Sequence, residues 1–106
     1  MQLFLAIALS PPAHSTSDWC ASSEPSVIHT MSEVRQALGA DSCKQAIRRL
    51  SRSRSLDLSD SEISDLSPLV DSRIEILLLR RNEITDITPL QSLPELRWLD
   101  LSQNPL

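Results

Sequence analysis

The sequence predicts an α/β fold in which two amphipathic helices precede a solenoid of short parallel strands. Three observations predict it. An apolar pattern occurs three times in register, at Leu56, Leu58, Ile63, Leu66 and Leu69, again from Ile74 to Leu93, and again at Leu96, Leu99, Leu101 and Leu106, in steps of 21 and 22 residues. Within the second copy, Ile84, Ile87 and Leu90 recur every third residue and Pro89 falls among them. That spacing suits 3₁₀-like returns, and the proline opposes a long α-helix. Ahead of the repeats, apolar residues recur at helical spacing between Val27 and Leu50.

The chain divides accordingly into residues 1–15, 16–52 and 53–106, the last comprising 53–73, 74–95 and a shortened 96–106. The first segment, MQLFLAIALSPPAHS, opens with an apolar run from Leu3 to Leu9. The run is too short to span a bilayer. It fits the apolar part of an export signal, with Ala13-His14-Ser15 as a small-x-small cleavage site, although no Lys or Arg precedes it. A secreted or cell-envelope (periplasmic) location follows, with a cytoplasmic protein as the alternative.

Cys20 and Cys43 are the two cysteines. In an exported chain an even count reads as one disulfide. A metal site with His14 and His29 is a second reading, without any C-x-x-C or H-x-x-x-H spacing to support it. Two free thiols in a cytosolic protein are a third. Between the cysteines Val27, Ile28, Met31, Val34, Ala37 and Leu38 mark a helix that stops at Gly39, with Ser26 or the Thr30-x-x-Glu33 pair as its start. Ser42-Cys43-Lys44-Gln45 is a capping box for a second helix, whose apolar stripe is Cys43, Ala46, Ile47 and Leu50. Two such helices ahead of a repeat array supply what a terminal cap requires, apolar inward and polar outward. Lys44, Arg48, Arg49, Arg52 and Arg54 form a basic cluster at a helix end, where cations are favoured. It reads as a solvated face, and Ser51 to Ser55 as the link into the first strand.

Each repeat slot has a physical reason. In Leu77-Leu78-Leu79 strand alternation sends Leu77 and Leu79 inward and Leu78 outward. Asn82 follows where the chain turns, and a buried amide there satisfies loop peptide groups. A lone repeat cannot offset the entropy of ordering itself, so the repeats must stack. The slots Ile74, Leu77, Leu79, Asn82 and Ile84 match the template L-x-x-L-x-L-x-x-N-x-L of a leucine-rich repeat. Asp65-Leu66-Ser67-Pro68-Leu69 and Asp86-Ile87-Thr88-Pro89-Leu90 resemble the D-I-x-P-L segment of the bacterial, internalin-like class with its 22-residue repeats. The first repeat departs from the pattern, with Ser61 in the Asn slot and one residue fewer. The order Trp19-Cys20, helix, Cys43, helix, repeats also resembles the N-terminal region of exported bacterial proteins of this class.

Composition narrows the function. Net charge is −4, with two Trp, one Phe and no Tyr, which argues against a base-stacking nucleic-acid surface. A single glycine excludes glycine-rich phosphate loops. No nucleophile elbow or clustered metal ligands occur, so neither an enzyme, a cofactor nor a metal is expected. Asp65 and Asp86 share a slot beside a turn, where Asp accepts local backbone hydrogen bonds. The outward strand positions are Ser55, Asp57 and Ser59, then Ile76, Leu78 and Arg80, then Trp98, Asp100 and Ser102. Ile76, Leu78 and Trp98 have no core duty in this register. Rimmed by Asp57, Arg80, Arg81 and Asp100, they have the composition of a protein- or peptide-binding patch on the concave sheet. The alternative is an N-terminal piece of a longer repeat protein without independent activity. On that view the open last repeat self-associates or frays from Pro94 onward.

Overall fold

A computed structural model describes residues 18–70 and 72–106. The export signal read over residues 1–15, His14 included, lies outside them, as does Asp71. The elements are helices α1 (Asp18–Ala21), α2 (Pro25–Ala37) and α3 (Cys43–Leu50), then strands β1 (Ser55–Asp57), β2 (Ile76–Leu78) and β3 (Trp98–Asp100). Two 3₁₀ turns, Ser67–Leu69 and Thr88–Ser92, lie between successive strands, at the positions that the three-residue spacing and the prolines predict. Among the described residues no helix is long and apolar enough to cross a membrane.

The strands form one parallel sheet in the order β1-β2-β3. Ser55 pairs with Ile76 and Trp98, Leu56 with Leu77 and Leu99, Asp57 with Leu78 and Asp100. This is the register of the sequence repeat. The strands are shorter than the 55–59, 76–80 and 98–102 that the template predicts. Their ladder nevertheless runs on, since the Leu58, Asp60, Leu79 and Arg81 N–H groups donate to the Leu78, Arg80, Asp100 and Ser102 carbonyls at 2.8–3.0 Å. Regular pairing stops because the chain turns sharply. Asp60, Arg81 and Gln103, one residue before each Ser/Asn slot, all take left-handed backbone angles, with φ of 58°, 59° and 61°.

Asn82 holds that turn. It is buried; its Oδ1 accepts from the Ser61 and Ile63 N–H groups at 3.0 and 2.9 Å, and its Nδ2 donates to the Leu58 and Leu79 carbonyls at 2.9 and 3.0 Å. One side chain thereby ties two successive repeats. Asn104 repeats the device, accepting from Ile84 N–H and donating to the Leu79 and Leu101 carbonyls. Behind the sheet Leu58, Ile63, Leu66, Leu69, Ile74, Leu77, Leu79 and Ile84 are fully buried in one core, continuous with Val27, Met31, Val34, Ala46 and Leu50 of the helices. Ile87 departs from its predicted core slot. It is exposed where the equivalent Leu66 is buried.

Helix α2 corrects two local expectations. α2 begins at Pro25, whose missing N–H suits the first helical position, and Glu24 before it makes no side-chain cap. Ser26 and Thr30 are therefore inside the helix. Ser26 Oγ donates to Asp65 Oδ2 at 3.0 Å and Thr30 Oγ1 to the Asp65 carbonyl at 2.7 Å, while His29 Nε2–H donates to the Ser61 carbonyl at 2.6 Å. These contacts seat α2 on the first repeat. Partial burial raises the Asp65 pKa, but donors on Ser67 and Ser26 outweigh it and hold the carboxyl below its ordinary value. Asp86, accepting from Thr88, is likewise held low. Ile28 and Ala37, assigned to the apolar stripe, are exposed. Gly39 does terminate the helix, with φ +63°.

α3 starts on Ser42, whose Oγ accepts from Gln45 N–H at 3.1 Å; Gln45 Oε1 reaches one residue further back than a capping box requires, to Asp41 N–H. Arg49 is not a free solvated cation. Its guanidinium donates to the Leu38 and Gly39 carbonyls, so it closes the end of α2 from the neighbouring helix.

Cys20 and Cys43 are joined as a disulfide, linking α1 to the first residue of α3. Closing this loop constrains the unfolded chain by about 3 kcal/mol on the entropic model. Reduction is expected to lower unfolding stability by that order, measured by denaturant titration with and without dithiothreitol. Two alkylatable thiols in unreduced native protein would refute the bond.

Candidate protein-binding face

A strand of three residues buries its central side chain and exposes the flanking two, and the parallel register stacks like positions into rows. The front of the sheet therefore carries the row Ser55–Ile76–Trp98 and, two residues on, Asp57–Leu78–Asp100. All the sequence-predicted site residues fall on or beside these rows: Asp57, Ile76 and Trp98 exposed, Leu78 and Asp100 half-buried, Arg80 exposed just past β2. Trp98 keeps 65% and Ile76 43% of its surface accessible, side by side. Apolar side chains so placed stabilise nothing in the core.

The two aspartates are held alike. Asp57 Oδ1 accepts from Ser59 N–H and Asp100 Oδ1 from Ser102 N–H, each at 3.0 Å, and the Ser102 hydroxyl adds a second bond at 2.7 Å. Those donors, with the Arg80 cation, keep the Asp100 carboxyl below its ordinary pKa. Among the described residues no ion pair includes either carboxylate. With Leu78 between them their Cα atoms lie about 9–10 Å apart, two strand spacings, so they cannot share a proton as a catalytic pair does.

A third row escaped the sequence reading. Glu75 pairs with Arg54 and, at 3.9 Å, with Arg97, and Glu75, Ile76, Arg97 and Trp98 together line a depression of about 280 Å³. The signal was present: extending the register one residue upstream of each strand finds Arg54, Glu75 and Arg97, alternating in sign. Beyond the other end of the rows Arg81 pairs with Asp60 at 3.5 Å and donates to Gln103 Oε1. The apolar centre is thus bordered by charges that are largely paired with one another. A separate depression of about 320 Å³ lies among the helices, lined by Trp19, Ile28, Met31 and the disulfide. Among the described residues no group of three metal-binding side chains occurs.

The sequence matches no protein-family model and no curated protein. Among solved structures it is similar to the crystal structure of an internalin C2 from Listeria monocytogenes str. 4b F2365, at 26% identity over 78% of this chain, with a TM-score of 0.59. The match covers 37% of the internalin C2 chain, so this chain spans little more than a third of that protein's length. The helices, the small parallel sheet and this likeness together make the fold α/β and leucine-rich-repeat-like.

Proposed function

We propose that the chain is a protein-interaction module, a leucine-rich repeat solenoid of the 22-residue class that holds a protein or peptide on the exposed, concave side of its sheet. On this reading residues 16–52 are a helical N-terminal cap and 53–106 the repeats. One observation carries the proposal: Trp98 and Ile76 lie adjacent and exposed at the front of the sheet while the equivalent inward positions of β1 and β2 are fully buried. A tryptophan in such a setting is the residue type that dominates protein interfaces. The likeness to an internalin supports it, as does the disulfide, which also favours a secreted or cell-envelope location after removal of residues 1–15.

Function as part of a longer repeat protein is the second reading. The likeness takes in only 37% of the internalin C2 chain, and Leu99 is exposed where its equivalents Leu56 and Leu77 are buried; both favour it. On that reading a further repeat, or a second copy of the chain, packs against Leu99.

Trp98→Ala is expected to weaken partner binding by about 2 kcal/mol, or roughly thirtyfold, in calorimetric titration. The melting temperature should hardly change, because the side chain is mostly solvated. Binding that ignores Trp98, Leu78 and Asp100 together would move the site off this face.

A further inference from the structure

Resting on that reading of the face, we infer that its ligand is an extended peptide segment carrying an apolar side chain and, two residues away, a lysine or arginine. The two rows at the front of the sheet differ in chemistry. The first presents Ile76 and Trp98 beside the 280 Å³ depression, with the Glu75 carboxylate there already engaged by Arg54 and Arg97. That row offers apolar contact and little unpaired charge. The second presents Leu78, half-buried, between Asp57 and Asp100. In both aspartates Oδ1 is the hydrogen-bonded oxygen, held by the N–H two residues on, and no Oδ2 bond occurs among the described residues. The carboxylates are therefore oriented in advance and, among the described residues, without a cation in ion-pair contact.

An aliphatic floor flanked by two anchored carboxylates suits a long side chain with an apolar stem and a cationic tip. Lysine and arginine have that construction. The stem covers Leu78 and the head group reaches either carboxylate. An acidic segment would meet two anions and leave them desolvated, which complementary interfaces avoid.

The pitch of the rows sets the spacing. They are two residues apart along the strands, about 6.5–7 Å. That is also the separation of side chains i and i+2 on one face of an extended peptide. A peptide aligned with the strands thus places its apolar residue against Ile76 and Trp98 when its basic residue lies over Leu78.

The test is an NMR titration of the full chain with blocked pentapeptides, Thr-Leu-Thr-Lys-Thr and its Glu counterpart Thr-Leu-Thr-Glu-Thr. The lysine peptide is expected to bind about tenfold more tightly, with the largest amide shifts in β2 and β3, and to weaken as salt is raised. In Asp57→Asn/Asp100→Asn the amide oxygen still accepts from Ser59 and Ser102, so the fold is kept. This variant should bind the two peptides equally. Equal affinity for both peptides in the parent chain, a preference for glutamate, or no saturable shift with either would overturn the inference. Trp98→Ala separates it from the broader reading. If that variant loses both peptides while the parent does not discriminate between them, the face binds peptides and only the basic preference fails. Saturable binding that Trp98→Ala leaves untouched overturns both.

Discussion

Leu79→Asp is expected to abolish the cooperative melting of the chain. Leu79 is fully buried in the core, immediately after β2. Its N–H donates to the Asp100 carbonyl at 2.8 Å, and its own carbonyl accepts from both Asn82 and Asn104. The backbone is thus clamped to two neighbours and cannot swing the side chain out to water. An ionised carboxylate there would sit in the apolar core. Its transfer from water costs more than the total stability of about 5–15 kcal/mol typical of a domain. The matched control is Ile76→Asp, on the opposite, exposed face of the same strand between Ser55 and Trp98, which should melt close to the parent. Circular dichroism melts of the two variants measure the difference. A cooperative parent-like melt for Leu79→Asp would show that the register is off by one.

Asn82→Ala should be the next most damaging change, although it removes no apolar contact of note. The amide satisfies four backbone groups on two repeats. On its loss the Leu79 carbonyl keeps Asn104, but the Ser61 and Ile63 N–H groups and the Leu58 carbonyl lose the bonds described. Each buried orphan costs about 1–3 kcal/mol, so a loss of several kcal/mol is expected in denaturant titration. Asn82→Asp discriminates the cause. A carboxylate still accepts from Ser61 and Ile63 but sets an anion against the Leu58 and Leu79 carbonyls, so it should rescue little. If Asn82→Ala costs under about 0.5 kcal/mol, the scale of an ordinary surface change, the amide is not what holds the turn.

Residue type and spacing alone determined the repeat, its register and the 3₁₀ returns. A 21- or 22-residue period in branched and unbranched aliphatics has few ways to be buried, and every copy must be buried in the same way. The alternation within each short strand placed Asp57, Ile76, Leu78, Trp98 and Asp100 on one face for the same reason. Spacing likewise put Gly39 at a helix end. What escaped it depends on groups that meet only after folding. The start of α2 at Pro25 releases Ser26 and Thr30 to bond Asp65, 39 and 35 residues away, and local propensity cannot register that competition. The Arg54–Glu75–Arg97 row exists because three repeats stack, and Arg49 caps a helix other than its own because α3 packs back on α2. The left-handed turns at Asp60, Arg81 and Gln103 carry no glycine to announce them. Local sequence would disfavour that backbone, and it is the interlocking hydrogen bonds of adjacent repeats, Asn82 above all, that hold it in place.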